Sequence, residues 1–154
     1  MELRPLPQMI YAAVRAVGPY QQTAGPAFSR LMDWARGAVP MNERTLFMGL
    51  SWDEPGKVPD TALRYDAAVT IDKPIAVPEG VHIGALPAMT WALATHRGSY
   101  RTLGETFASL MADMAARKDF VPVDLPAIEI YRTPMSVPEN ERLTDLGFPV
   151  VVFG

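Results

Sequence analysis

An α+β fold is predicted for this chain: duplicated strand–helix–strand–strand units forming one curved, mostly antiparallel sheet of about eight strands, with two long helices on one face and a central cleft. Three observations predict it. Leu3, Leu6, Pro7, Met9, Ala12, Gly18 and Tyr20 recur as Ile83, Leu86, Pro87, Met89, Ala92, Gly98 and Tyr100, about 80 residues further on. Each copy then carries an apolar stripe at helical spacing: Ala24, Phe28, Leu31, Met32 and Ala35 in the first, Leu103, Phe107, Leu110, Met111 and Met114 in the second. Short β-prone runs bounded by Gly and Pro follow both stripes.

In chain order, residues 8–17 (QMIYAAVRAV) read as a strand closed by Gly18-Pro19. The first helix follows; because proline suits a first helical turn, Gly25-Pro26 places its start near Gly25, and Gly37 and Pro40 end it. Strands at 45–52 and 64–72 flank the turn-forming DEPGKVPD. In the second copy, residues 81–86 lead to a strand at 88–97, then a helix at 101–117, and strands at 126–133 and 147–153 separated by the polar SVPENERL. Later positions register as Leu63 with Leu143, Val58-Pro59 with Val137-Pro138, and Asp66 with Asp145, so one deletion separates the copies. The expectation is one domain over 1–154, with repeat one at 1–80, repeat two at 81–154, and Pro74 to Gly80 as the joint.

Composition narrows the functional classes. A chain of 154 residues with 49% hydrophobic content can bury one core. The formal net charge of −3 and the lack of any basic run argue against nucleic-acid binding. Without cysteine there is no disulfide, thiolate catalysis or cysteine-bound zinc. No apolar stretch approaches the roughly 20 residues that span a bilayer, and MELRPLPQ lacks the apolar core of a signal peptide. A cytoplasmic protein without membrane contact is expected. His82 and His96 lack metal-ligand spacing, Gly56-Lys57 is not a P-loop, and neither a nucleophile elbow nor a dinucleotide fingerprint occurs. No metal or cofactor is expected.

Glu129 is the candidate that carries chemistry. It interrupts the apolar strand AIEIY, and alternation puts Glu129 and Tyr131 on one face with Ile128 and Ile130 on the other. The aligned stretch of the first copy, Phe47-Met48-Gly49, holds no acid. Two placements are open: solvated on an outer face, or buried and in need of a cation, a donor or a proton. Aromatic residues supply the candidate surroundings: Tyr11 and Trp91 share one repeat position, and Phe47, Tyr65 and Phe148 lie on or near strands. Beside a buried acid such rings suit a lipophilic cation or a flat polycyclic compound. His96 is expected to cap the end of its strand or to contact the neighbouring copy.

YAAVRAVGPY, LSWDEP with LRYDAAV, VPEGV, WALATHRGSY, and PAIEIY with TDLGFPV, in that order, resemble the GyrI-like family, the AraC-type effector-binding superfamily, over nearly the whole chain. The resemblance implies the duplicated fold and a central cleft for a hydrophobic, often cationic ligand. It places the family's acidic pocket residue on Glu129, the accompanying aromatic on Tyr131, and another aromatic position on Trp91. It also implies alternatives: a cofactor-independent hydrolase of strained cyclopropanoid toxins in which Glu129 and Tyr131 would be catalytic, or an inhibitor of DNA gyrase acting by protein contact. No helix-turn-helix segment is expected within the chain, so a gyrase or a separate regulator stands as the candidate protein partner. Ser99 and Ala16 depart from the family pattern, which places Pro and His there.

Overall fold

The computed structural model describes residues 1–153; Gly154, the last residue of the expected domain, lies outside the described residues. In chain order the elements are β1 (Glu2–Leu6), β2 (Met9–Val17), α1 (Tyr20–Ala38), β3 (Phe47–Ser51), β4 (Arg64–Ile71), β5 (His82–Leu86), β6 (Met89–Arg97), α2 (Leu103–Ala115), β7 (Phe120–Pro122), β8 (Ala127–Tyr131) and β9 (Leu143–Val152). The predicted α+β class and duplicated order are both present, with a short additional strand leading each copy. Short 3₁₀ turns at Asp60–Ala62, Tyr100–Thr102 and Glu139–Glu141 complete the path.

The chain forms two compact units. In the unit of Gln8–Pro87 the strands run β5-β2-β4-β3, each antiparallel to its neighbour, and α1 packs on one face. In the unit of Met1–Pro7 with Ala88 onward they run β1-β6-β9-β8, again antiparallel, with β7 also paired to β9. The repeats therefore exchange their leading strands: β1 pairs with β6, and β5 pairs with β2. Alternation did not reveal β1 because Pro5 and Pro7 interrupt LRPLP; an edge strand tolerates Pro5, whose missing donor need not serve a partner.

In the unit of Gln8–Pro87 the core lies between α1 and the sheet. Ala27, Leu31 and Ala35 of the helix meet Ala12, Val14 and Ala16 of β2 and Tyr65, Ala67, Val69 and Ile71 of β4. Gly18 and Gly98 end β2 and β6 at φ 134° and 128°, which side chains rarely adopt, and each N–H closes the unit by donating to Leu63 O and Arg142 O respectively.

Three expectations need correction. Helix α1 starts at Tyr20, not near Gly25, because Pro19 acts as its N-cap: its carbonyl accepts from the backbone N–H of Gln22 and Thr23 and from Thr23 Oγ1. Pro26 is then interior, on the exposed face, where water can serve the carbonyl it leaves without a donor. Strand β9 starts at Leu143, not residue 147, because TDLG pairs with β6 and β8. The paired bonds Gly18 N to Leu63 O and Gly98 N to Arg142 O make Arg142, not Leu143, the counterpart of Leu63. Past the helices the copies are thus offset by 79 residues, with Asp66 matching Asp145 as expected.

Candidate functional site

Strand β8 positions the acid. Ile128 and Ile130 are buried on one face, while Glu129 and Tyr131 share the other and keep partial exposure. Register identifies that face: Glu129 lies opposite Leu146 of β9, Leu146 opposite Ala94 of β6, and Phe148 opposite Ala92. Ala92 packs with Val150, Phe120 and Met114 of α2, so the face carrying Glu129 is the one beneath α2. Two aromatic contacts agree with this. The Tyr100 and Tyr131 rings meet edge-on at 5.4 Å between centroids, and those of Phe107 and Phe148 at 5.7 Å.

Burial raises the Glu129 pKa from 4.5 to about 7, against a smaller lowering from the Tyr131 hydroxyl, which donates to Oε2 at 3.4 Å. Among the described residues no basic side chain pairs with it. Its charge in turn helps raise the pKa of Tyr100, where burial is the larger cause and Arg142, stacked 5.0 Å from the ring centroid, opposes it. A carboxyl with a raised folded pKa binds its proton more tightly when folded, so its stabilising effect is complete below about pH 4.5 and is lost as pH rises through about 7. We expect the unfolding free energy to fall by about 2–3 kcal/mol between pH 5 and 8. Glu129→Gln should flatten that fall and leave a protein more stable than the parent at pH 8; chemical denaturation across the range checks it.

The two helices are packed unequally. Helix α1 buries Ala27, Leu31 and Ala35, whereas α2 buries only Leu110. Its expected stripe is otherwise loosely covered, with Phe107 and Met114 half-buried and Met111 exposed. One cause is legible in the repeat: Thr144 stands where the other unit has Tyr65, which fills the space under α1 against Tyr20 and Phe28. Thr144 is fully buried opposite Tyr131, and its Oγ1 has no hydrogen-bond partner among the described residues. The Glu129 face therefore combines an acid without a basic partner, the Thr144 hydroxyl without a hydrogen-bond partner among the described residues, and four aromatic rings: Tyr100, Phe107, Tyr131 and Phe148. Sequence reasoning missed Thr144, Tyr100 and Phe107 as site residues; with the offset set to 79, the exchange of Tyr65 for Thr144 was the available signal for the first.

Other expected site residues are placed differently. Phe47 and Tyr65 lie on the α1 face of the other unit. Trp91 is opposite Pro149 on β9, so it points away from Glu129 and is fully buried behind the sheet. Tyr11 likewise lies on the face of its own sheet away from α1, its ring covering Gly84 so closely that a Cβ there would meet ring atoms at 2.5 Å. Shared repeat position correctly paired Tyr11 with Trp91, but it carries no information about which face a strand turns inward. The same outer faces hold the buried carboxylates of Asp66, clamped by Arg15, and Asp145, bonded by Thr95 and Arg4. His96 ties the end of β6 to the next helix: Nε2 donates to Ser99 O at 2.9 Å, and Nδ1 lies 2.6 Å from Thr106 Oγ1. Two shallow hollows, of about 310 and 190 Å³, flank α1 and do not include Glu129. No group of side chains suited to a metal ion occurs among the described residues, and no helix is long and apolar enough to cross a membrane.

The repeated α+β units place the chain in a class of small domains built from two copies of one strand–helix–strand motif. The chain belongs to that class as a member of the GyrI-like small molecule binding domain family, whose model matches residues 1–151. It is similar to a DNA gyrase inhibitor of Edwardsiella ictaluri, 32% identical over 143 residues that cover 89% of this chain and 88% of the relative. A DNA gyrase inhibitor of Enterobacter lignolyticus is 30% identical, over 73% of this chain and 78% of its own. Among solved structures, the C-terminal domain of EcmrR has a TM-score of 0.78 at 17% identity, covering 98% of this chain and 96% of that one. SAV2435 bound to tetraphenylphosphonium has a TM-score of 0.68 at 12% identity, covering 97% and 93%. At these identities the two structures speak for the fold alone.

Proposed function

We propose that this chain binds a hydrophobic small molecule, cationic or polycyclic, on the α2 face of the sheet, with Glu129 as its countercharge. The observation that carries the reading is a carboxyl held at a pKa of about 7 with no basic partner, beneath a helix that buries one residue. A permanent cation placed there would take the role of the missing partner, and Tyr131, Tyr100, Phe107 and Phe148 would supply apolar area and ring faces. Tyr131 is a ligand-contacting residue in this reading; Trp91 and Tyr11 support the sheet from behind.

Tetraphenylphosphonium, the compound in the SAV2435 structure, is the first probe because its charge cannot titrate. Calorimetric titration at about pH 8 should show binding to the parent protein and a loss of about tenfold or more in Glu129→Gln, since an ion pair to a half-buried carboxylate with no other basic partner is worth at least about 1.4 kcal/mol. Equal binding by both proteins would remove Glu129 from the site. The names of the relatives make gyrase the protein partner to test. A supercoiling assay with purified gyrase, with and without the cation, decides whether this chain shares that action.

A further inference from the structure

In the unit of Gln8–Pro87, strand β5 covers the edge of β2 only from Met9 to Ala13, whereas β4 pairs the opposite edge as far as Val17. The backbone beyond Ala13 therefore presents an edge that β5 leaves uncovered. Beside it lies the hollow of about 310 Å³, lined by Arg15, Ala16 and Val17 of β2 and by Gln22, Pro26 and Arg30 of α1. A second hollow of about 190 Å³ continues past Arg30 to Trp34 and Val81, with Glu79 its one acid. The other unit shows why the space exists. At the matching positions His96 and Thr106 bond at 2.6 Å and bolt the strand end to its helix; here Ala16 and Ala27 stand instead and can make no such bond.

Charge selects the occupant. Arg30 lines both hollows and makes no hydrogen bond or ion pair among the described residues. Arg15 gives Nε and Nη2 to Asp66 and keeps Nη1 free of that clamp. We propose that this notch is a docking site for an extended acidic peptide segment of a protein partner, which continues the line of β5 along β2 and sets a carboxylate against Arg30. Strand addition supplies main-chain bonds that any sequence can make, and the guanidinium groups supply the preference for acid. The site is independent of Glu129.

The test uses the whole chain, with amide chemical shifts followed as an acetylated, amidated Glu-Val-Glu-Val-Glu peptide is added. Shifts should concentrate at Arg15–Val17 and at Gln22–Arg30, and the Lys-Val-Lys-Val-Lys peptide should leave them unmoved. Arg30→Ala, at an exposed position, should weaken binding about tenfold. Ala16→His, which rebuilds the plug of the other unit, should abolish it; Glu129→Gln should not change it. Equal binding of the basic peptide would overturn the proposal, as would no shift along β2 at millimolar peptide. So would the same shifts produced by inorganic phosphate alone, which would make the notch a simple anion site.

Discussion

Gly147→Ala is expected to destabilise the protein by about 3 kcal/mol or more, the range of severe overpacking against unyielding atoms. Gly147 sits in the middle of β9, opposite Leu93 of β6 and Ile128 of β8. A Cβ there would stand 1.9 Å from Ala92 O, 2.8 Å from Ala92 C and 3.0 Å from Leu93 Cα. All three are backbone atoms, so no rotamer change relieves the clash and the two strands must separate. The matching residue of the other unit is the buried Ala68, so the glycine reflects how closely β6 and β9 approach here and not a demand of the fold type. For a domain of this size the loss corresponds to a fall in melting temperature of roughly 10 °C. The neighbours Leu146 and Phe148 belong to the Glu129 face, so cation binding should weaken as well. Gly37→Ala is the control: nothing lies within 4 Å of its Cβ position near the end of α1, and a gain of about 0.5–1 kcal/mol is expected from helix propensity. Thermal and denaturant melts of the three proteins read both effects.

Asp66→Ala comes next in size. The carboxylate is wholly buried; it accepts from Arg15 Nε and Nη2 at 2.9 Å each and from Trp52 Nε1 at 2.8 Å, and His82 Nε2 is 3.5 Å away. Removing it leaves the indole N–H without its acceptor and a guanidinium without its counterion. The Arg15 side chain is 39% exposed and can turn to water, so the cost is about 3 kcal/mol, at the lower end for a broken buried pair. Asp66→Asn keeps the shape and one acceptor, and should cost roughly half as much. Asp145→Ala should cost less than Asp66→Ala. Its arginine contacts, at 3.4 and 3.6 Å, are looser, and its best bond is from the Thr95 hydroxyl at 2.7 Å. Denaturant midpoints order the three variants.

Much of this architecture is legible in the residues because repeat spacing and apolar period are local properties. AIEIY alternates cleanly, and the structure buries Ile128 and Ile130 while leaving Glu129 and Tyr131 together on the other face. What alternation cannot tell is which of two faces a helix will cover, so Trp91 reads as a pocket aromatic although it points behind the sheet. The leading strands are invisible for another reason. β1 and β5 are short, one is broken by proline, and each finds its partner in the opposite repeat, a pairing that no local pattern encodes. The early start of α1 shows tertiary bonds overriding a sequence signal: Gly25-Pro26 looks like a beginning, yet Pro19 already caps the helix. The site itself is half legible. A lone acid in an apolar strand stands out; the hydroxyl of Thr144 beside it emerges only when the Asp66–Asp145 register is followed one residue back, to Tyr65 against Thr144.

The most direct measurement is the affinity of a permanently charged aromatic cation as a function of pH. With Glu129 near 7 in the free protein, binding should strengthen about tenfold between pH 6 and 8 as the carboxyl releases its proton to solvent and becomes an anion for the incoming cation. In Glu129→Gln the affinity should be weak and flat across the same range. A parent protein that binds the cation equally well at both pH values, or a variant that keeps the pH dependence, would contradict the account.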